Sequence, residues 1–207
     1  MSTLVTGSLS ALVGSIGALG DLAGAAVVVV PSAAAFTGAS AAALEVALAL
    51  EPTGASVEAL MVLERSSVNE SAIVARVARA DVVVLTDGSA LHARAVWRDS
   101  AVGEAIGASR LVAIGAVATV LGSVMIDPRG GAPTVGLGYR DGAVLTVPST
   151  PDQLTRTRAL LSGEAPLVVV GARGVVGESG GEWYTVVAED VEVTRGPDAV
   201  TLGTRTR

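Results

Sequence analysis

The chain has 207 residues, 50% hydrophobic and 2% aromatic, with a formal net charge of −6. That length suits one sizeable domain, and a core of Val, Ala and Leu suits a sheet buried on both faces by Ala-rich helices, so the expected class is α/β. The absent residue types exclude more: without cysteine there is no thiol nucleophile, disulfide or thiolate metal site, and without lysine there is no Schiff base, Ser–Lys dyad or Walker phosphate loop.

Along the chain, Thr3–Thr6 predicts the first strand. Gly14, Gly17 and Gly20 follow at regular spacing but complete no dinucleotide fingerprint, so they read as turns and close packing. This apolar stretch raises the question of a secretory signal. No basic residue precedes Arg65, however, and Asp21 and Pro31 interrupt any long apolar span, so a soluble cytoplasmic chain without membrane contact is expected. Ala26–Val30 predicts a strand, Ser40–Leu50 a helix and Val57–Leu63 the next strand. Asn69 then caps a helix over Glu70–Ala78, a reading preferred to glycosylation of Asn69-Glu70-Ser71. Asp81–Leu85 predicts a strand, and Ser89 caps one long helix over Ala90–Ile106 that carries an exposed Trp97. Leu111–Ile114, Gly115 and a helix over Val117–Val124 make the strand–turn–helix layout in which hydrolases expose a nucleophile. Yet Ala116, Val117, Ala118 and Thr119 follow the glycine, and none is serine or cysteine.

Asp127 and Arg129 flank a proline and predict a turn closed by an exposed ion pair. Ala143–Val147 is a strand, Thr150 with Pro151 opens a helix over Asp152–Leu161, and Pro166–Val170 is the last long apolar strand. Glu182–Ala188, Val191–Thr194 and Ala199–Leu202, the last two separated by Gly-Pro-Asp, predict a small antiparallel appendage. The alternation implies βαβ units in a doubly wound, mostly parallel sheet flanked by helices. No repeat or linker divides the chain, so a single domain over 1–207 is expected, with its β appendage at about 182–203.

His92 is the single histidine, which rules out a multi-histidine metal centre and leaves one residue for any Ser–His–acid triad. No metal or cofactor is expected. The 14 basic residues are all arginines and form no stripe, which argues against nucleic acid as a partner.

Three segments carry a resemblance: Pro31-Ser32-Ala33-Ala34-Ala35, Ala80 to Ser89 with Leu91-His92, and Met125 to Gly138 with its Asp-Pro-Arg-Gly-Gly run. In order and spacing, together with the terminal Gly180-Gly181-Glu182-Trp183, they resemble the dipeptidase E and cyanophycinase family of serine peptidases. The resemblance implies a class I glutamine amidotransferase-like fold with the nucleophile in a Gly-(Ser/Thr)-Ser-Ala-Gly elbow. Carried across, Gly115 matches the first glycine, Val117 the nucleophilic serine, Ala118 the alanine and Thr119 the second glycine. Ser149 stands after Val147-Pro148 where the family places its histidine base, and Gly171-Ala172-Arg173-Gly174 replace an acidic segment.

Valine has no lone pair to attack with, so the expectation is a catalytically inactive homologue acting through binding or assembly. Val117 should sit at negative φ, or the turn be remodelled, with its side chain filling the former pocket. Gly88, Gly115 and Ala118 mark a vestigial oxyanion site whose backbone donors could still form an oxyanion hole, without covalent turnover. Arg129 is a candidate clamp for a carboxylate, and Thr119 a candidate donor. A homodimer or a pairing with an active paralogue is expected, through the Asp127–Gly138 loop and the Trp97 helix. One alternative is a sensor of small peptides or amino acids that uses the vestigial cleft. Another is a serine hydrolase with a relocated Ser89–His92 pair oriented by Asp87. Against that pair, Ser89 as helix cap and His92 as a packed side chain are the preferred readings.

Overall fold

A computed structural model describes residues 2–147, 150–161, 165–195 and 198–204. β1 (Ser2–Thr6) leads through α1 (Leu9–Ser15) to β2 (Ala26–Val30), and α2 (Ala39–Leu50) leads to β3 (Ser56–Ala59). α3 (Ser71–Arg79), β4 (Val82–Leu85), α4 (Ala90–Trp97), α5 (Ala101–Gly107) and β5 (Leu111–Ile114) complete the parallel half. The five strands lie in the order β1-β5-β4-β2-β3, so the chain steps outward to β3 and returns to β5. Right-handed crossovers then require the outward and returning helices to lie on opposite faces. They do: Leu12, Ala43, Val46 and Leu50 of α1 and α2 pack with Val27, Val29, Val82 and Val84. Val77, Val96, Val102 and Ile106 of α3 to α5 pack with Val28, Val83, Leu85 and Ala113. The fold is a doubly wound α/β sheet, as the alternation of strand-like and helix-like segments predicts.

The second half begins with the antiparallel hairpin β6 (Val124–Ile126) and β7 (Pro133–Val135), and continues through β8 (Val144–Thr146), α6 (Pro151–Leu160) and β9 (Leu167–Val170), with β8 and β9 paired parallel. β10 (Val175–Ser179), β11 (Glu182–Val187), β12 (Val191–Arg195), β13 (Asp198–Ala199) and β14 (Gly203–Thr204) follow. The expected antiparallel C-terminal region is present, and it is shared between two sheets. β10 pairs with β1, and β11 with β10, extending the main sheet to eight strands. β12 instead joins β9 in a four-stranded sheet. The link is β10, which escapes a hydropathy reading because Gly177 and Glu178 interrupt its apolar run. Gly177 is required there, since an added Cβ would lie 2.3 Å from the Tyr184 ring. The expected Gly-Pro-Asp turn falls on Gly196 and Pro197, outside the described residues.

Several sequence-based elements are corrected. The helix expected over Ala90–Ile106 is two helices, broken at Arg98–Ser100 by Asp99 at φ 50°. Ser100 Oγ caps α5 by accepting from Gly103 N at 3.1 Å, and the Arg65 guanidinium closes α4 by donating to the Arg98 carbonyl at 2.6 Å. Asn69 serves this break and not α3, its Oδ1 accepting from Ala101 N at 3.0 Å. The kink turns Trp97 inward: it is 1% exposed, with Nε1 donating to Ser32 Oγ at 2.9 Å, and so is no surface anchor. Two further boundaries move. The helix expected from Val117 to Val124 is a 3-10 segment over Gly115–Val120, after which β6 begins at Val124, and the strand expected to reach Leu63 ends at Ala59. α1, capped by Ser8, lies where only glycine turns were expected.

At the amino ends of β1 and β5, the fold buries an ion pair. Arg140 and Glu178 are 7% and 5% exposed, with Nε and Oε2 3.4 Å apart. Arg140 also donates to Thr3 Oγ1 and to the carbonyls of Gly107, Ser109 and Tyr139, while Glu178 Oε1 accepts from Gly181 N at 2.8 Å. Burial pulls the Arg140 guanidinium below its ordinary range, and Glu178 opposes that. One side chain thereby ties β1, α5, the Tyr139 loop and β10 together.

Candidate functional site

Open parallel sheets bind ligands outside the carboxyl ends of their strands. Here the residues after β4 and β5 form that edge. Leu85 pairs with Ala113, so the positions two residues further on, Asp87 and Gly115, emerge side by side. Gly115 makes the elbow at φ 67°. Val117, at the apex of the 3-10 turn, is fully buried in the main core with Ala118, Val120 and Leu121. Among the described residues only Asp99 and Asp190 are non-glycines at positive φ, so Val117 holds the relaxed conformation expected of a β-branched residue. Thr119 is buried, and its hydroxyl accepts from Ile126 N at 3.0 Å. It pins β6 to the elbow instead of facing the cleft.

Of the donors expected near Gly88, Gly115 and Ala118, the Gly88 amide is engaged, and so is that of Ala116 beside them. Asp87 Oδ1 accepts from Gly88 N at 2.7 Å and from Ala116 N at 2.8 Å. The carboxylate lies where a side chain at position 115 would be, with Cγ 2.2 Å from the place of an added Cβ. Gly88, at φ 140°, is equally constrained: an added Cβ would meet Ala33 O at 2.3 Å. Sequence reasoning considered Asp87 only as an orienter for histidine and missed this bond.

Ser89 caps α4, its Oγ accepting from His92 N at 3.3 Å. The His92 ring points elsewhere, with Nε2 2.8 Å from Leu63 O and the ring in a T-shaped contact with Phe36 at 4.6 Å. Phe36 itself is 78% exposed. The serine and histidine thus meet through the helix cap, and no hydrogen bond joins Ser89 Oγ to the ring. Arg129 makes a two-pronged contact with Asp127, at 3.0 Å from Nε and 2.7 Å from Nη2, which closes the predicted turn and holds the Asp127 carboxyl below its usual range. α6 fixes that turn through Gln153, which donates to Pro128 O at 3.0 Å, and Thr157, which donates to Gly131 O at 2.8 Å.

Ser149, the position matched to the family's base, lies outside the described residues, as does Pro148. Thr150 beside it caps α6 as expected, accepting from Gln153 N at 3.2 Å. In the segment matched to the family's acidic residues, Arg173 pairs with Asp190 at 2.9 Å, and Ala172 O accepts from Ser8 Oγ at 2.7 Å. Among the described residues, no group of three or more His, Cys, Asp or Glu side chains is placed to hold a metal ion, and no helix is long and apolar enough to cross a membrane.

No protein-family model and no curated protein matches the sequence. Solved structures do match in shape. A peptidase from an acI-B1 Actinobacterium superposes with a TM-score of 0.80 at 18% identity, over 99% of this chain and 95% of its own. A protein named "Putative Peptidase E Protein" from Listeria monocytogenes EGD-e superposes with a TM-score of 0.65 at 14% identity, over 94% of this chain and 98% of its own. At these identities the likeness is one of architecture, and it runs the length of the chain: the protein has the α/β fold of these peptidases.

Proposed function

We propose that this chain is a catalytically inactive homologue of the dipeptidase E and cyanophycinase peptidases, acting in the cytoplasm as a scaffold or regulatory subunit, as a homodimer or beside an active paralogue. The observation that carries the reading is Val117, fully buried at the apex of the elbow where a nucleophile would have to project. The engaged Gly88 and Ala116 amides support it, since a tetrahedral intermediate would find these donors already taken. The rival hydrolase needs Ser89 and His92 as a nucleophile–base pair, whereas the His92 ring bonds the Leu63 carbonyl. For assembly, the support is apolar surface: Val13, Leu44 and Leu48 on α1 and α2, and Val135 within the Asp127–Gly138 segment, are 50% to 59% exposed.

The test is chemical. Labelling by a fluorophosphonate and hydrolysis of Asp-X dipeptides or β-aspartyl-arginine should both be absent. Turnover that disappears in Ser89→Ala or His92→Ala would overturn the reading in favour of the hydrolase. Light scattering at tens of micromolar tests the homodimer. The exposed Phe36 against His92 favours the sensor as second reading, and a thermal-shift screen with Asp- and Arg-containing peptides tests it.

A further inference from the structure

We propose that the cleft between the α4–α5 break and the Tyr139 loop is a binding site for a small organic cation that also carries a neutral oxygen, the class of amino-acid amides and amino alcohols. Three observations converge. The cleft encloses about 340 Å3, room for a molecule of amino-acid size, between the break, Gly103 and Glu104 of α5, and Leu137 and Tyr139 opposite. Glycines shape its inner wall: an added Cβ would lie 2.9 Å from the Tyr139 hydroxyl at Gly103 and 2.8 Å from the Tyr139 ring at Gly107, so these positions, one turn apart, let the phenol lie along α5. The hydroxyl itself is buried without a hydrogen-bond partner, which a buried phenol rarely is. Its neighbours at the break are engaged, since Ser100 Oγ donates to Trp97 O at 2.7 Å and the Ala101 and Gly103 amides donate to Asn69 Oδ1 and Ser100 Oγ.

The ligand class follows from the charges. Burial and the nearby Glu104 carboxylate push the Tyr139 phenol up from its ordinary value, so it stays protonated at neutral pH and donates. The same carboxylate repels an anionic acceptor, which leaves a neutral oxygen as the partner for the phenol. At the rim, Arg98 Nε lies 3.4 Å from Asp99 Oδ2 and the two charges offset each other, so Glu104 is the surplus charge and favours an ammonium group. A molecule with an ammonium at one end and a carbonyl or hydroxyl oxygen at the other satisfies both demands. The cleft shares no lining residue with the elbow. A positive fluorophosphonate result would therefore leave this inference standing.

The experiment is an NMR titration of the full chain with leucinamide and leucinol as probes, and with leucine and isovaleramide as controls, at neutral pH and matched ionic strength. Leucine brings a carboxylate beside Glu104, and isovaleramide lacks the ammonium. Both probes should shift the Gly103 and Leu137 amide resonances with dissociation constants of roughly 1–10 mM, and both controls should bind at least about tenfold more weakly. Tyr139→Phe should weaken leucinamide about fivefold, through the lost donor, and Glu104→Gln about tenfold, through the lost charge. Leucine binding as tightly as leucinamide would overturn the proposal, as would unchanged binding in Tyr139→Phe. If Tyr139→Phe does not fold, Glu104→Gln, altered at an exposed side chain, provides the second measurement, and unchanged binding there overturns the proposal equally. The absence of any saturable shift below roughly 50 mM would show that water alone fills the cleft and would also overturn it.

Discussion

Glu178→Gln tests how the buried ion pair holds the two halves of the main sheet together. The substitution keeps the shape and the acceptor for Gly181 N but removes the charge facing Arg140. At 3.4 Å, Oε2 lies in ion-pair range of Nε without a hydrogen bond, so the compensation it provides is Coulombic. An effective dielectric of about 20 gives roughly 5 kcal/mol for unit charges at that spacing. The Thr3 hydroxyl and three carbonyls still face the guanidinium, so we expect a net loss of about 3 kcal/mol. For a chain of this length that is a fall of roughly 6–12 °C in melting temperature.

Urea unfolding of the parent, Glu178→Gln, Arg140→Met and the double variant closes the cycle, and a coupling above roughly 1 kcal/mol is expected. A Glu178→Gln variant within about 0.5 kcal/mol of the parent would refute the reasoning and show that the carbonyls alone carry the cation.

Gly107→Ala should destabilise by about 1–3 kcal/mol, because its Cβ would sit 2.8 Å from the Tyr139 ring; unfolding midpoints check this. Tyr139→Phe should cost little or even stabilise, because the buried hydroxyl has no hydrogen-bond partner. Val117→Ser should lose about 2–4 kcal/mol in chemical denaturation, through lost methyl packing and a buried hydroxyl, and hydrolyse no Asp-X dipeptide even when combined with Ser149→His. Arg129→Ala should return the Asp127 carboxyl toward its ordinary pKa of about 4 in a 13C titration. Because the folded value is depressed, the stabilisation from this pair is present at neutral pH and lost as pH falls through it, so the parent should lose stability relative to Arg129→Ala below about pH 4.

What could be read from the chain divides by the range of the interaction that decides each feature. Ala26–Val30 and Leu111–Ile114 form over the residues expected, because runs of Val, Ile and Leu bounded by turn residues suffice to define a buried parallel strand. Ser89 and Thr150 cap the helices they precede for an equally local reason. Trp97 was beyond such reasoning: the break that buries it depends on Arg65 and Asn69, roughly thirty residues away, bonding across to the gap between α4 and α5. The hidden strand β10 was missed because Gly177 answers to the Tyr184 ring on the neighbouring strand and not to its own segment.

The elbow combines both kinds of information. That Val117 cannot attack is plain from its side chain, but that Gly115 still matters depends on the register of β4 against β5, which places Asp87 beside it. A glycine at a strand-to-helix turn is commonly taken as the trace of a nucleophile. Here φ and the packed carboxylate require it without one, so retention of the turn is no evidence that acyl transfer is retained.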